Sequence, residues 1–158
     1  SDLGVKMTKY ENLKDYLKEV EKVTYLNNLV YWELHVSGAK ESKDYLLDVL
    51  TDLSGKAFTL TTSEEYGTLL YDLINDNEFN SLTEEEQKYY QLLYERYENF
   101  KKVPVDFYKE YTRCNNKSIT MWEEAKEKNS YELFKPYLSQ NIDMAKKYFS
   151  YFANDKDL

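Results

Sequence analysis

The sequence predicts an all-α protein, about six antiparallel amphipathic helices in one helical domain spanning residues 1–158. Three observations carry that expectation. Apolar residues recur three and four positions apart along nearly the whole chain, the spacing of one helical face. Four glycines and two prolines leave little material for the tight turns of an all-β domain. Two pairs, Thr62 with Glu65 and Thr83 with Glu86, have the capping-box spacing, in which a hydroxyl accepts from a backbone N–H and the glutamate reaches back.

The first helix is expected from about Lys9 to Val36, on the order of 40 Å long. Leu13, Leu17, Val20 and Thr24 form one stripe, and Leu26, Leu29 and Val30 make a more apolar end. Gly38 breaks it. A second helix follows from about Lys40 to Leu60, burying Leu46, Val49, Leu50, Leu53 and Ala57, with Gly55 costing up to about 1 kcal/mol relative to alanine. The third opens at Thr62, buries Tyr66, Leu69, Leu70, Leu73 and Ile74, and ends in Asn75-Asp76-Asn77. The fourth starts at Thr83 and runs to about Lys101 with Tyr90, Leu93, Tyr94 and Tyr97 inward; Glu84, Glu85 and Glu86 sit at its positive dipole end.

Pro104 suits the first turn of a fifth helix, where its missing N–H is not needed. That helix carries Phe107, Tyr111, Cys114, Ile119, Trp122 and Ala125. A sixth, from about Ser130, is kinked or restarted at Pro136, buries Leu138, Ile142, Ala145, Phe149 and Phe152, and runs almost to Leu158. No stop signal closes it, as expected of a chain cut where a larger protein continues. Met7 is a natural start, so residues 1–6 are expected to be left over from expression cloning.

Composition narrows the function. With 42% hydrophobic and 32% charged residues the chain is globular rather than disordered. A net charge of -8 argues against nucleic acid, which is held by clustered Lys and Arg; Lys101-Lys102 and Lys146-Lys147 are short and flanked by carboxylates. No run of apolar residues is long enough to span a membrane. Cys114 is the only cysteine, so no intrachain disulfide forms, and the start lacks a secretory pattern; both lead to a cytoplasmic expectation.

Catalytic groups are scarce. A zinc site of the H-E-x-x-H kind needs two imidazoles one helical turn apart, and the chain has one histidine, His35. Position 32, three residues before it, is tryptophan, which removes the E-x-x-H pair of a carboxylate-bridged dimetal bundle. His35 is expected at a helix end, Cys114 as an inert core thiol, and Glu123 with Glu127 on a solvated face. Ser54-Gly55-Lys56 lacks the upstream glycine of a phosphate loop. The 17 tyrosines exceed what a core easily satisfies, since a buried phenol needs a partner; a core rim, a peptide groove or a subunit interface would each account for them.

One stretch is more specific. Trp122, Ala125 and Lys126, then a polar link, Tyr131, and Phe134-Lys135-Pro136-Tyr137-Leu138 make a pattern W-x-x-A-K, aromatic, F-x-P-Y-L that periodicity alone does not demand. It resembles a stretch in the N-terminal third of the thermostable carboxypeptidase family typified by carboxypeptidase Taq. Leu29, Trp32 and Glu33 resemble that family's L-x-x-W-D. Gly38-Ala39 with Lys43, Leu47 and Leu50 resembles its G-A-x-x-x-R-x-x-x-L, Thr62 to Leu70 a helix start, and Glu95-Arg96-Tyr97 with Val103-Pro104 the lead into the tryptophan helix. Glu33 replaces Asp, Lys43 replaces Arg, and a Met-Pro expected after the W-D pair is absent.

The resemblance implies the N-terminal helical domain of a zinc-dependent metallocarboxypeptidase, walling a deep peptide-substrate groove. No catalytic or metal-ligating residue is expected in this segment. Zinc, or another divalent metal, belongs to the full-length parent, whose metal ligands lie beyond Leu158. The implied partners are the catalytic remainder of the parent chain, peptide substrate through the complete enzyme, and a second copy, since members are commonly homodimers. Within that pattern Trp32, Trp122, Ala125, Phe134, Pro136 and Tyr137 are structural, and Glu33 is a substrate-groove or interdomain polar contact. Two other readings fit: the corresponding domain of a related oligoendopeptidase, and a stand-alone non-catalytic helical protein-interaction module.

Overall fold

The computed structural model of the protein describes residues 6–37 and 42–153. The break expected at Gly38, the helix start expected at Lys40, most of the remnant 1–6 and the run to Leu158 lie outside these residues. Regular structure among the described residues is helical throughout: α1 (Lys9–His35), α2 (Lys43–Thr62), α3 (Glu64–Ile74), α4 (Glu84–Phe100), α5 (Val105–Glu127) and α6 (Lys135–Ser150), with 3₁₀ turns at Asn77–Ser81 and Tyr131–Leu133. The chain sorts into two compact units, residues 1–22 with 59–101 and residues 23–58 with 102–158. α1 and α2 contribute residues to both.

The first unit is built on Leu13, Tyr66, Leu70, Leu73, Phe79 and Tyr90, with Leu69, Ile74, Leu93, Tyr94 and Tyr97 packed partly buried around them. The expected inner faces of α3 and α4 are those observed. The start of α3 is corrected: Thr62 is the last residue of α2, and Ser63 is the cap. A capping residue needs an extended backbone; Ser63 has φ −70° and ψ 151°, and its hydroxyl accepts from the Tyr66 N–H at 3.1 Å. The Tyr16 hydroxyl, 2.9 Å from the Ser63 hydroxyl, donates to the Leu60 carbonyl at 2.6 Å, which fixes this one-residue joint to α1. Asp76 caps the following 3₁₀ turn. Thr83 and Glu86 form the expected capping box, at 3.2 and 3.0 Å.

The second unit buries Leu34, Leu47 and Leu50 as one cluster with Val30 and Leu46 beside it, and separately buries Val23, Phe58, Val103, Phe107, Cys114 and Ala125. On α2 the buried stripe is Leu47, Leu50, Thr51, Ser54, Gly55 and Phe58; of the expected Leu46, Val49, Leu50, Leu53 and Ala57, Leu50 is buried and the other four are half-buried. The helix is rotated by one position because small polar residues face inward. The Thr51 hydroxyl donates back to the Leu47 carbonyl at 2.7 Å, and Ser54 accepts from the Asn27 side chain at 3.0 Å, so neither is left unsatisfied. On α1 Thr24 is exposed, and Val23 and Leu34 are the buried residues of its second half.

Pro104 caps α5 from outside, one residue ahead of the first turn expected for it. α6 restarts at Pro136 after the 3₁₀ turn, with the proline in its first turn. Its burial is corrected: no residue of α6 is fully buried, and Ile142 and Phe149 are 47% and 65% exposed. Within the unit α6 packs on α5 and the 3₁₀ turn, which covers one side and leaves the rest of its apolar periodicity uncovered.

Two glycines should respond differently to alanine. A Cβ on Gly67 would lie 2.1 to 2.4 Å from the ring of Tyr97, a ring held by Tyr66 and Tyr94 at centroid distances of 6.1 and 6.0 Å. Gly67→Ala should destabilise by about 1–3 kcal/mol, read by urea denaturation. At Gly55 the added Cβ meets the aliphatic stem of Lys109, which can swing aside, so the helix-propensity gain of up to about 1 kcal/mol should leave Gly55→Ala near neutral.

Candidate functional site

The residues singled out from sequence gather at the turn between α5 and α6. Ala125, Lys126, Lys128, Asn129 and Ser130 form a Schellman motif: Asn129 N–H donates to the Lys126 carbonyl at 3.2 Å and Ser130 N–H to the Ala125 carbonyl at 2.9 Å. This arrangement requires a left-handed residue just past the helix, and Asn129 has φ 50°. Ala125, 3% exposed, sits where a larger side chain would push the turn away. The turn returns the chain so that Phe134 meets Trp122 at a ring-centroid distance of 5.1 Å and 60°. Lys126 Nζ lies 5.5 Å over the Trp122 ring. On α5 the Ser118 hydroxyl hydrogen is shared between the carbonyls of Cys114, 2.8 Å, and Tyr137, 3.3 Å, which ties α6 to α5.

These contacts enclose a groove of 530 Å³ lined by Asn115, Ser118, Ile119, Trp122, Phe134 and Asn141. Trp122 remains 43% exposed at its rim. Asn141 Oδ1 is buried with no hydrogen-bond partner among the described residues, an acceptor available to an N–H donor. Chemically this is an apolar slot edged by amide groups and the Ser118 hydroxyl, with no titratable side chain among its lining residues.

Around the end of α1 a second group of named residues is placed. Trp32 is 56% exposed, and Glu33 is half-buried. His35 Nε2 lies 2.9 Å from Asn116 Oδ1, and Asn116 Nδ2 donates to the Thr112 carbonyl at 3.0 Å. Because that carbonyl fixes the Asn116 amide, its Oδ1 faces His35 and accepts. The ring of Tyr31 covers His35 edge-on at 4.5 Å. His35 therefore joins α1 to α5 as a hydrogen-bonding side chain.

Neither His35 nor any other described residue fits a metal site, since no group of three or more His, Cys, Asp or Glu stands close enough to hold an ion. Cys114 is buried, and burial pushes its thiol upward, away from the thiolate a nucleophile needs. No described helix is long and apolar enough to cross a membrane.

The tyrosines divide by place. In the first unit burial pushes Tyr66 up to about 12, and Tyr90, against Tyr10 and Tyr89, is pushed up as well. In the second, Tyr148 stacks on Tyr111 at 4.6 Å and burial pushes it up to about 12. Sequence periodicity missed Ser118, which ties α6 to α5 beside the groove, and Asn116, which takes the bond from His35. It also missed Asn129, although an asparagine just past a helix with lysine in its last turn and at its cap is a recognisable stop signal.

Two outcomes check this geometry. Asn129→Val should lower stability by about 1–2 kcal/mol, because a β-branched residue resists the left-handed conformation, while Asn129→Gly should not; thermal melts of both read the difference. A phenol raised in the folded state stabilises below the unfolded value near 10 and loses that contribution as pH rises through the folded value. Stability should therefore fall between about pH 10 and 12, and absorbance at 295 nm should show Tyr66 and Tyr148 ionising after the exposed tyrosines. Their replacement by Phe should shrink the late phase by two phenols and leave the contribution of Tyr90.

The comparisons converge. A family model described as Carboxypeptidase Taq (M32) metallopeptidase matches residues 12–158. Carboxypeptidase 1 of Bacillus subtilis (strain 168) is 32% identical over 139 residues, 88% of this chain and 27% of that protein. A solved structure described as the BsuCP crystal structure matches with a TM-score of 0.85 at 30% identity, covering 94% of this chain and 30% of that one. The structure of Pyrococcus furiosus carboxypeptidase described as Apo-Mg shares the fold, with a TM-score of 0.67 at 20% identity over 95% of this chain and 30% of that one. The chain thus spans less than a third of the length of these relatives.

Proposed function

The chain belongs to the Carboxypeptidase Taq (M32) metallopeptidase family, and from that premise we propose that it is the N-terminal helical domain of a cytoplasmic zinc-dependent metallocarboxypeptidase. In this reading it walls the peptide-substrate groove and has no catalytic site of its own. The observation that carries it is a contrast: the family match runs through residues 12–158, yet the full sequence holds one histidine, one short of an H-E-x-x-H pair. The metal ligands and the glutamate that activates water are therefore supplied by the rest of the parent, and no reaction step is assigned to a residue here.

The groove lined by Trp122, Phe134, Ile119 and the amides of Asn115 and Asn141 supports the wall assignment. Apolar rings can pack against substrate side chains while Asn141 Oδ1 meets a peptide N–H. A wall of packed helices admits an extended peptide end and excludes a folded protein, which suits an exopeptidase. Trp122, Ala125, Phe134, Pro136 and Tyr137 act by shaping that wall, and Glu33 is an interdomain or groove contact.

The decisive experiment compares the isolated chain with the full-length parent. The isolated chain should retain no stoichiometric zinc after desalting and release no C-terminal amino acid from blocked dipeptides, whatever divalent metal is added. The full-length parent should do both. Metal-dependent release by the isolated chain overturns the proposal, as does a parent without an H-E-x-x-H sequence.

A further inference from the structure

The second half of α1 is apolar on two opposite sides. At 100° per residue, Val23, Asn27, Val30 and Leu34 fall on one line, and this line faces the second unit's interior: Val23 and Leu34 are buried, Val30 packs beside the Leu34 cluster, and Asn27 bonds Ser54. Tyr25, Leu29, Trp32 and Val36 fall on the opposite line, spaced i, i+4, i+7, i+11. They are 65%, 50%, 56% and 61% exposed. This is the a/d spacing of a helix-pairing seam, about 16 Å long. A surface helix ordinarily carries polar residues on the face away from its core. Between Val23 and Val36 the sequence holds one carboxylate, Glu33, and no Asp, Lys or Arg.

We infer that the Tyr25–Leu29–Trp32–Val36 seam is the docking line for an amphipathic helix from the part of the parent chain outside residues 1–158. The inference rests on the reading of this chain as part of a longer metallocarboxypeptidase. Relatives of which this chain covers 27% and 30% have ample chain to supply that helix. The occupant is intramolecular for two reasons. A seam of four side chains over three turns falls short of the roughly 600–1,000 Å² per partner of a stable association between separate molecules, whereas a tethered helix meets it at an effective concentration in the millimolar range. A second copy would also bring another net charge of -8 to a seam whose one charged neighbour is Glu33. Covering the seam draws the half-buried Glu33 further from water, so the docking helix should bring an Arg, Lys or backbone N–H to its carboxylate.

The test uses the full-length parent with the photo-crosslinker p-benzoylphenylalanine replacing Leu29. Irradiation should give a crosslink within one molecule, mapped by mass spectrometry to a peptide beyond residue 158. Leu29→Lys should lower the parent's unfolding midpoint by several degrees and leave that of the isolated chain unchanged. A covalent dimer assigns the seam to a second copy and overturns the inference; so does the absence of a crosslink, or an unshifted parent. Activity of the unaltered parent separates the two readings. An active metallocarboxypeptidase without the crosslink removes the seam assignment alone, and a gene ending at Leu158 removes both.

Discussion

Close approach of α2 to α5 is the constraint on which the second unit depends. Phe58 stacks on Tyr108 at 3.9 Å and 11°, and Gly55 leaves room for the stem of Lys109. Asp44 pairs with Lys117 at 3.5 Å, Asp48 with Arg113, and Asp52 with Lys109 at 3.2 Å. Rising numbers on one helix against falling numbers on the other mean that these two helices run in opposite directions. The charges do not fix the register, because a slide of one turn would keep two of the three pairs. Exposed pairs contribute roughly 0.2–1 kcal/mol each, against about 1.5–3 kcal/mol for each large apolar side chain buried. The Phe58–Tyr108 stack has no equivalent one turn away, and it sets the register.

That frame decides which side of α1 is used. Asn27 reaches Ser54 on α2 from the Val23–Leu34 side, and His35, about 100° further round the helix than Leu34, reaches Asn116 on α5. With that side committed, the aromatic residues opposite must face outward. The same reasoning applies to α6, which spends one face on α5 and leaves Phe149 open. Exposed aromatics on these helices follow from the opposite face of each being committed to contacts inside the unit.

Helix existence, the Thr83 capping box and the inner faces of α3 and α4 were legible because each rests on large apolar residues or on a local signal. The buried stripe of α2 was not. Thr51, Ser54 and Gly55 read as polar or weak positions, yet hydroxyls that bond back to their own helix or to a neighbour are buried at little cost and permit closer packing. The apolar run Leu46, Val49, Leu53 pointed one position away for the same reason. α6 erred in the other direction: its periodicity correctly marks a helix, but periodicity cannot tell a face buried within this segment from one awaiting another part of the chain. Of the candidate site, Trp122, Phe134 and Ala125 were legible through their spacing, whereas Ser118, Asn116 and Asn129 act through hydrogen bonds and backbone conformation that spacing does not encode.

The pattern W-x-x-A, polar link, F-x-P-Y-L has a physical content that accounts for its recognisability. Ala125 supplies the carbonyl that closes the Schellman turn and is small enough to let the turn pack against α5. Trp122 stands one turn earlier, where the returning Phe134 must meet it. Pro136 opens α6 where no N–H is needed, and the Tyr137 carbonyl accepts from Ser118 to hold the new helix against the old one. Each position answers to the same reversal of direction between two helices. A reversal of this kind ties several side chains and one backbone conformation to a single geometry, so it can carry a family's signature without any catalytic group.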